Sequence, residues 1–348
     1  MSFDEDGVAV APMLRLDHLR RLTDERGIIQ FARFDKPDRG SGYCVDDVSR
    51  LAIVAARFLR LGWATETVGT WIATSIDFLE RSFGETAGLL RNVADSDGEW
   101  TDEPHAGDHV GRALWALGEL YAAPVSGTVR HRAAALRGRL RPGVHQLSLR
   151  ATAYAALGLC ESGPLCATAY YLDARLRRSV APNWYWFEPM LAYDNARLPQ
   201  ALLAAAGRLR EPGMTHRALS ALDWYCRQVH IDTGPLRCVG NTWRRRDTAR
   251  LGHEGDEQPI DAAALVECLV DAYVHTSSPR YARLALRCFG WFLGDNAHGL
   301  SLYDASTGGC RDGVGRHGVN ENQGAESTLA YYQALSRLVE ARLVTLSH

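Results

Sequence analysis

Lysine is almost missing from this 348-residue chain: Lys36 stands alone, and the other basic residues are arginine. The 39 basic and 41 acidic side chains leave a formal net charge of −2, which excludes a general electrostatic attraction to nucleic acid or an anionic membrane. The arginines are spread out. Their largest group, Arg244–Arg246, reads as a solvated loop, and the bias against lysine as a coding preference.

The eight cysteines form no Cys-x-x-Cys pair and no dense framework, which argues against a disulfide scaffold and fits buried thiols in a reducing compartment. No long apolar run exists. The least charged stretch, 151–172, carries only Glu161 and is broken by Gly163-Pro164, so it reads as a helical hairpin and not a membrane span. The opening MSFDEDGVAVAP is acidic and lacks a secretory pattern. A soluble, cytoplasmic protein is expected.

Nucleotide and metal motifs are missing too. There is no P-loop, no H-E-x-x-H and no dinucleotide fingerprint, and no G-x-S-x-G elbow supports a serine nucleophile. His105, Asp108 and His109, or His253 with Glu257, fall short of a complete ligand set, so neither a metal nor another cofactor is expected. The glycines of 308–318, GGCRDGVGRHG, read as a flexible loop and not a phosphate cradle. Strand-like alternation is scarce and confined to the long segments 28–45, 231–257 and 299–323.

What fills the chain is helical periodicity. Runs at 46–61, 108–121, 147–160, 198–208, 259–274 and 325–343 are rich in alanine and leucine and poor in charge, as helices covered on most sides would be. More charged amphipathic runs at 13–24, 65–82, 127–140, 165–179, 214–230 and 278–293 alternate with them. Six buried and six half-exposed helices predict an all-α fold: an (α/α)6 barrel of six inner and six outer helices, with a few short strands in long loops. An open solenoid is the alternative. The whole of 1–348 is expected to be one domain, with 1–12 a flexible N-terminal segment.

Polar residues gather before the inner helices. Asp46-Asp47 precedes the first, and His105, Asp108 and His109 the second. Glu188, Asp194 and Asn195 precede the fourth, Glu257, Gln258 and Asp261 the fifth, and Asn320, Glu321, Asn322 and Glu326 the last. In an antiparallel array all these ends converge on one cleft. Ordinary N-capping and the helix dipole account for one such side chain per helix. They do not account for a surplus. Pro259 suits the first helical position, with Gln258 as cap. Pro199 sits too deep for Asp194 to cap the fourth inner helix, so Asp194-Asn195 reads as loop facing the cleft. Trp184 and Trp186 in NWYWF, and Trp243 in GNTW, offer flat faces of the kind that stack on sugar rings, although packing over the core explains each one equally well.

The motifs GYCVDDVSRLAIVAAR, GRALWALG, WYWFEPMLAYDNARLPQALL, EQPIDAAALVECLVDAY and GGCRDGVGRHGVNENQGAESTLAYY, spread over about 40–340, resemble a bacterial group in the six-hairpin glycosidase-like superfamily. Members of this group are often labelled glycosyltransferases or lie beside such domains. The resemblance implies an (α/α)6 toroid with a carbohydrate site at the open end of the inner helices. It does not imply one reaction, because hydrolases, phosphorylases, lyases and sugar epimerases share such barrels. The first motif reads Asp46-Asp47-Val48-Ser49-Arg50 where the family pattern is closer to DDNARAL.

The first functional expectation is a glycoside hydrolase using two carboxyl groups, one a protonated acid and one a base or nucleophile. Glu188 or Glu257 is the candidate acid, and Asp194, Asp47 or Glu321 the candidate base. Asn195, Gln258, Asn320 and Asn322 would hold sugar hydroxyls. Asp46, Asp108, His109, Trp184, Trp186, Arg197, Trp243 and Glu326 complete the expected substrate contacts. The second is a sugar epimerase or isomerase, which needs histidines in the cleft; His105, His109, His253 and His317 are available. The third is a non-catalytic carbohydrate-binding partner of a glycosyltransferase.

Overall fold

In a computed structural model that describes residues 2–3, 7–85, 87–140, 142, 145–159, 161–247 and 255–347, the chain is a ring of helical hairpins. The inner helices are α2 (Val45–Leu61), α4 (Asp108–Ala122), α6 (Leu149–Gly158), α8 (Arg197–Leu209), α10 (Pro259–Thr276) and α12 (Ala325–Glu340). The outer helices are α1 (Asp17–Leu22), α3 (Thr65–Ser82), α5 (Gly127–Arg139), α7 (Ser162–Ser179), α9 (Pro212–Gln228) and α11 (Pro279–Gly290). Each inner helix packs on the next, and α12 packs back on α2. That last contact closes the (α/α)6 barrel and removes the open solenoid.

Local chemistry sets the helix ends. The Cys44 sulfur accepts the Asp47 N–H at the start of α2, and Gly62 ends that helix in the left-handed region at φ 71°. Pro259 occupies the first position of α10, with Gln258 before it. Inner helices are buried nearly all round: Leu51 through Ala56 on α2 and Ala262 through Val270 on α10 have almost no exposed surface. None of the helices among the described residues is long and apolar enough to cross a membrane.

Helices α4 and α6 approach each other backbone to backbone. A Cβ on Gly158 would strike the backbone at Leu114 and Trp115, and one on Gly118 would strike Gly158 itself. Gly158→Ala should therefore push the two helices apart and cost at least about 1–3 kcal/mol. Gly138→Ala on α5, where an added methyl meets open space, should be neutral or stabilising by about 0.5–1 kcal/mol. Urea unfolding of both variants checks this. Equal midpoints would contradict the close packing.

Short strands occupy the long loops at the N-terminal mouth of the inner helices. Tyr43–Cys44 pairs with Val93–Ala94, Met190–Leu191 with Arg244–Arg245, and Tyr303–Asp304 with Gly309–Cys310. The glycine-rich stretch expected to be a flexible loop is instead built into hairpins, with Gly313–Gly315 paired to Gly318–Asn320 and Val314 bridged to Glu257. At the N-terminus, Ala9–Ala11 runs parallel to Val344–Leu346, so this part of 1–12 is a strand and not a free arm.

Candidate functional site

Within the first six residues of four successive inner helices stands an arginine: Arg50, Arg112, Arg150 and Arg197, all buried. A cation at a helix N-terminus opposes the dipole, and a buried guanidinium without a counter-charge costs several kcal/mol. Carboxylates in the first turns of the inner helices or in the loops before them supply those counter-charges. Asp47 Oδ1 accepts Arg50 Nη1 at 2.7 Å, and Glu326 Oε2 accepts Arg50 Nη2 at 2.6 Å. Asp46 accepts from Arg112. Glu188 pairs with Arg150 at 2.8 Å. Asp194 pairs with Arg197 at 3.3 Å and accepts the Tyr154 hydroxyl at 2.5 Å. Much of the polar surplus before the inner helices is therefore the counter-ion set of buried arginines.

Part of that set, together with further polar residues, lines a cavity of about 560 Å³ at the mouth of the barrel. Its acidic wall is Asp46, Asp47, Asp108, Asp256, Asp312 and Glu326, and its cations are Arg50 and Arg112. Amides come from Gln30, Asn92, Asn241, Gln258 and Asn320, and ring faces from Phe31 and Tyr193. Asp108, the first residue of α4, accepts hydroxyls from Ser148 at 2.5 Å and Tyr193 at 2.6 Å. Arg150 lies over the Tyr193 ring at 4.5 Å, which fixes that phenol on the wall.

The carboxyls of this cavity have divergent proton affinities. Burial pushes Asp312 up to about 6, against the Gly324 N–H that it accepts at 2.8 Å, and Glu326 and Asp47 add to the rise. Burial also lifts Asp47 to about 6, opposed by Arg50 and helped by Glu326 and Asp46. For Asp46 burial likewise acts upward, but Arg112 and Arg50 outweigh it and hold the carboxyl below its ordinary range.

The expected site residues divide. Asp46, Asp47, Asp108, Gln258, Asn320 and Glu326 line the cavity. Of the five candidate catalytic carboxylates only Asp47 does. Glu188 and Asp194 are turned onto Arg150 and Arg197. Glu257 Oε2 accepts the Cys238 N–H at 3.0 Å and the Trp291 Nε1–H at 2.9 Å, binding the loop before α10 to the outer layer. Glu321 is exposed and pairs with Arg311 at 2.8 Å. Asn195 is buried against Asp261 and Ala192, and Asn322 accepts the Phe34 N–H. Arg197 lies inside the barrel between Asp194 and Glu267.

Two of the tryptophans belong to the core. Trp186 is fully buried and stacked on Trp224 and Tyr225, and Trp184 donates to the Glu188 carbonyl and packs edge-on against Trp224, so neither presents a face to the cavity. Trp243 is exposed and tilted over Tyr193, at the rim. His109 is buried, with Nε2 3.0 Å from the Leu90 carbonyl. His105 is exposed beside Asp102, and His317 beside Arg316. His253 lies outside the described residues. Among the described residues no group of three or more His, Cys, Asp or Glu is placed to hold a metal ion.

Sequence reasoning missed Arg50, Arg112, Asn92, Asp256 and Asp312. A signal existed for the arginines: Asp47-Val48-Ser49-Arg50 and Asp194-Asn195-Ala196-Arg197 repeat one spacing, and Asp108 precedes Arg112 by one turn. Asp312 lay in a glycine-rich stretch with nothing local to mark it.

No family model and no curated protein matches the chain. Solved structures do. A sugar epimerase from a ruminal bacterium has a TM-score of 0.68 at 12% identity, over 92% of this chain and 94% of that one. A D-mannose isomerase has 0.64 at 13%, over 91% and 94%. A GH76 α-mannanase from Bacteroides thetaiotaomicron has 0.60 at 10%, over 85% of each chain. The fold that this chain shares with them is the (α/α)6 toroid. At these identities the likeness defines architecture, and the reaction has to be argued from the cavity.

Proposed function

We propose that the protein is a carbohydrate-active enzyme, specifically a glycoside hydrolase acting in the cavity at the mouth of the barrel. The observation that carries this reading is the divergence of two carboxyls that line one cavity. Asp312 is raised to about 6 and Asp46 is held low. Carboxyl pairs pushed apart in this way divide into acid and base. Asp312, with no guanidinium on it among the described residues, protonates the leaving-group oxygen. Asp46, kept ionised by Arg112, activates water or attacks the anomeric carbon. Asn92, Asn241, Gln258, Asn320 and Tyr193 line the same cavity and supply the polar groups that would bond sugar hydroxyls. The seven described cysteines are all free, which suits a reducing compartment such as the cytoplasm.

The second reading is epimerisation or isomerisation. It is favoured by two of the structures of like fold, an epimerase and an isomerase. Against it, no histidine is among the described residues that line the cavity.

The test is a release assay on a panel of oligosaccharides and aryl glycosides, followed by mass spectrometry, with NMR to catch mass-neutral changes. The pH profile carries its own sign. Asp312 must be protonated, so the rate falls as pH rises through about 6. Asp46 must be ionised, so the rate falls again only well into the acid range. A rate that climbs steadily from pH about 6 to 8 would remove Asp312 as the acid. Epimerised product would replace the hydrolase by the second reading. Silence in both assays, with a sugar still raising Tm, would leave a binding partner, with a glycosyltransferase as the candidate companion.

A further inference from the structure

The cavity holds far more negative charge than two-carboxylate chemistry requires. With Asp312 protonated, five carboxylates still face two guanidiniums, and both guanidiniums are already engaged. Arg50 is held between Asp47 and Glu326, and Arg112 by Asp46 and the Tyr154 hydroxyl. We propose that the sugar taken by this cavity carries a free ammonium group, so that the substrate is an aminosugar glycoside and not a neutral, N-acetylated or acidic one. The inference rests on the carbohydrate reading of the same cavity.

Two carboxylates carry it. Asp108 is satisfied by hydroxyls alone. Asp312, the protonated acid of the hydrolytic reading, adds no charge. Asp256 is exposed on the wall, with no guanidinium on its carboxylate among the described residues. Asp108 stands at the start of α4, and Asp256 in the loop before α10, with its carboxylate against Gly315 of the hairpin before α12. A concave wall of one sign focuses its field into the cavity and raises the local concentration of the opposite charge. An ammonium brings three donors to a wall built of acceptors. A uronate or phosphate would meet repulsion, with no free cation among the described residues that line the cavity to receive it. The ring of Phe31 is a second, independent feature. It lines the cavity and is 61% exposed, and an uncovered aromatic face beside carboxylates attracts a cation as well as a sugar C–H face.

The experiment is isothermal titration of the full chain with four disaccharide probes: the glucosamine disaccharide, its di-N-acetyl form, cellobiose and digalacturonate. Each is run at about 20 mM and about 500 mM salt, since screening weakens a charge-driven preference. The free-amine disaccharide is expected to bind at least about tenfold tighter than cellobiose at low salt, with digalacturonate weakest. The ratio should shrink at high salt and in Asp256→Asn. Cellobiose or the acetylated probe binding as tightly as the amine would overturn the proposal while leaving the carbohydrate reading in place. No binding by any probe would overturn both. A preference for the amine without release from any glycoside would support the proposal while the hydrolytic step falls.

Discussion

Asp312→Asn is expected to lower glycoside release by at least about a hundredfold, with the fold intact. The amide keeps the shape of the side chain and can still accept the Gly324 N–H through its oxygen, but it has no proton to deliver to a leaving group. The contrast lies in where the loss appears. Aryl glycosides with acidic leaving groups need little protonation, so their hydrolysis should suffer least. Natural linkages with poor leaving groups should suffer most. The basic limb of the pH profile, set by Asp312 near 6, should vanish for whatever activity remains. Glu257→Gln is the useful control. Its carboxylate faces Cys238 and Trp291 behind the wall, so the change should cost stability and spare the reaction to within about tenfold. A Glu257→Gln variant as dead as Asp312→Asn, with an unchanged Tm, would transfer the acid role to Glu257.

The architecture was legible in the sequence because periodicity over ten or more residues is a strong local signal. The helix runs fall within a few residues of the observed spans, and Pro199 correctly excluded Asp194 as the cap of α8, which begins at Arg197. The site was legible in place and only partly in detail. The clusters before the inner helices do meet at one mouth. Which of their members face the cavity depends on the arginines behind them, and that is a three-dimensional competition. Glu188 looked like an acid because aromatic residues surround it in sequence. In the folded chain those rings turn into the core and Glu188 turns onto Arg150. Asp312 could not be read at all. Its position is set by the pairing of Gly313–Gly315 with Gly318–Asn320 and by the bridge from Val314 to Glu257, contacts that no local pattern announces.

The largest loss of stability is expected at a residue with no role in the cavity. Glu267 is a lone carboxylate in the apolar run of α10, and it is completely buried. It accepts Arg57 Nη2 at 2.7 Å and Arg197 Nη2 at 2.8 Å, joining three inner helices in mid-barrel. From there the ion pairs continue through Glu119 and Arg60 to Glu340 at the far end. Burial alone would raise the pKa of Glu267, yet the two guanidiniums dominate and bring it down to about 2. A folded-state pKa below the unfolded one stabilises the protein at every pH above the unfolded value. That contribution is lost as pH falls from the ordinary glutamate range, near 4.5, toward about 2. Acid unfolding should therefore have a component in that window. Glu267→Gln removes the charge and leaves two buried guanidiniums facing each other, which costs about 3–5 kcal/mol. Glu267→Leu should cost as much, because the defect is the lost counter-charge that Arg57 and Arg197 share, with only Glu119 at 3.4 Å and Asp194 at 3.3 Å left to them, and not the lost volume. A triple change of Glu267, Arg57 and Arg197 to apolar residues of similar size should recover much of the loss, since a complete buried ion network is often replaceable by packed side chains. Chemical denaturation of the three variants at pH about 7 and about 3 decides it. If Glu267→Gln unfolds at the wild-type midpoint at pH about 7, the mid-barrel network contributes nothing and the toroid is held by its apolar helix contacts alone.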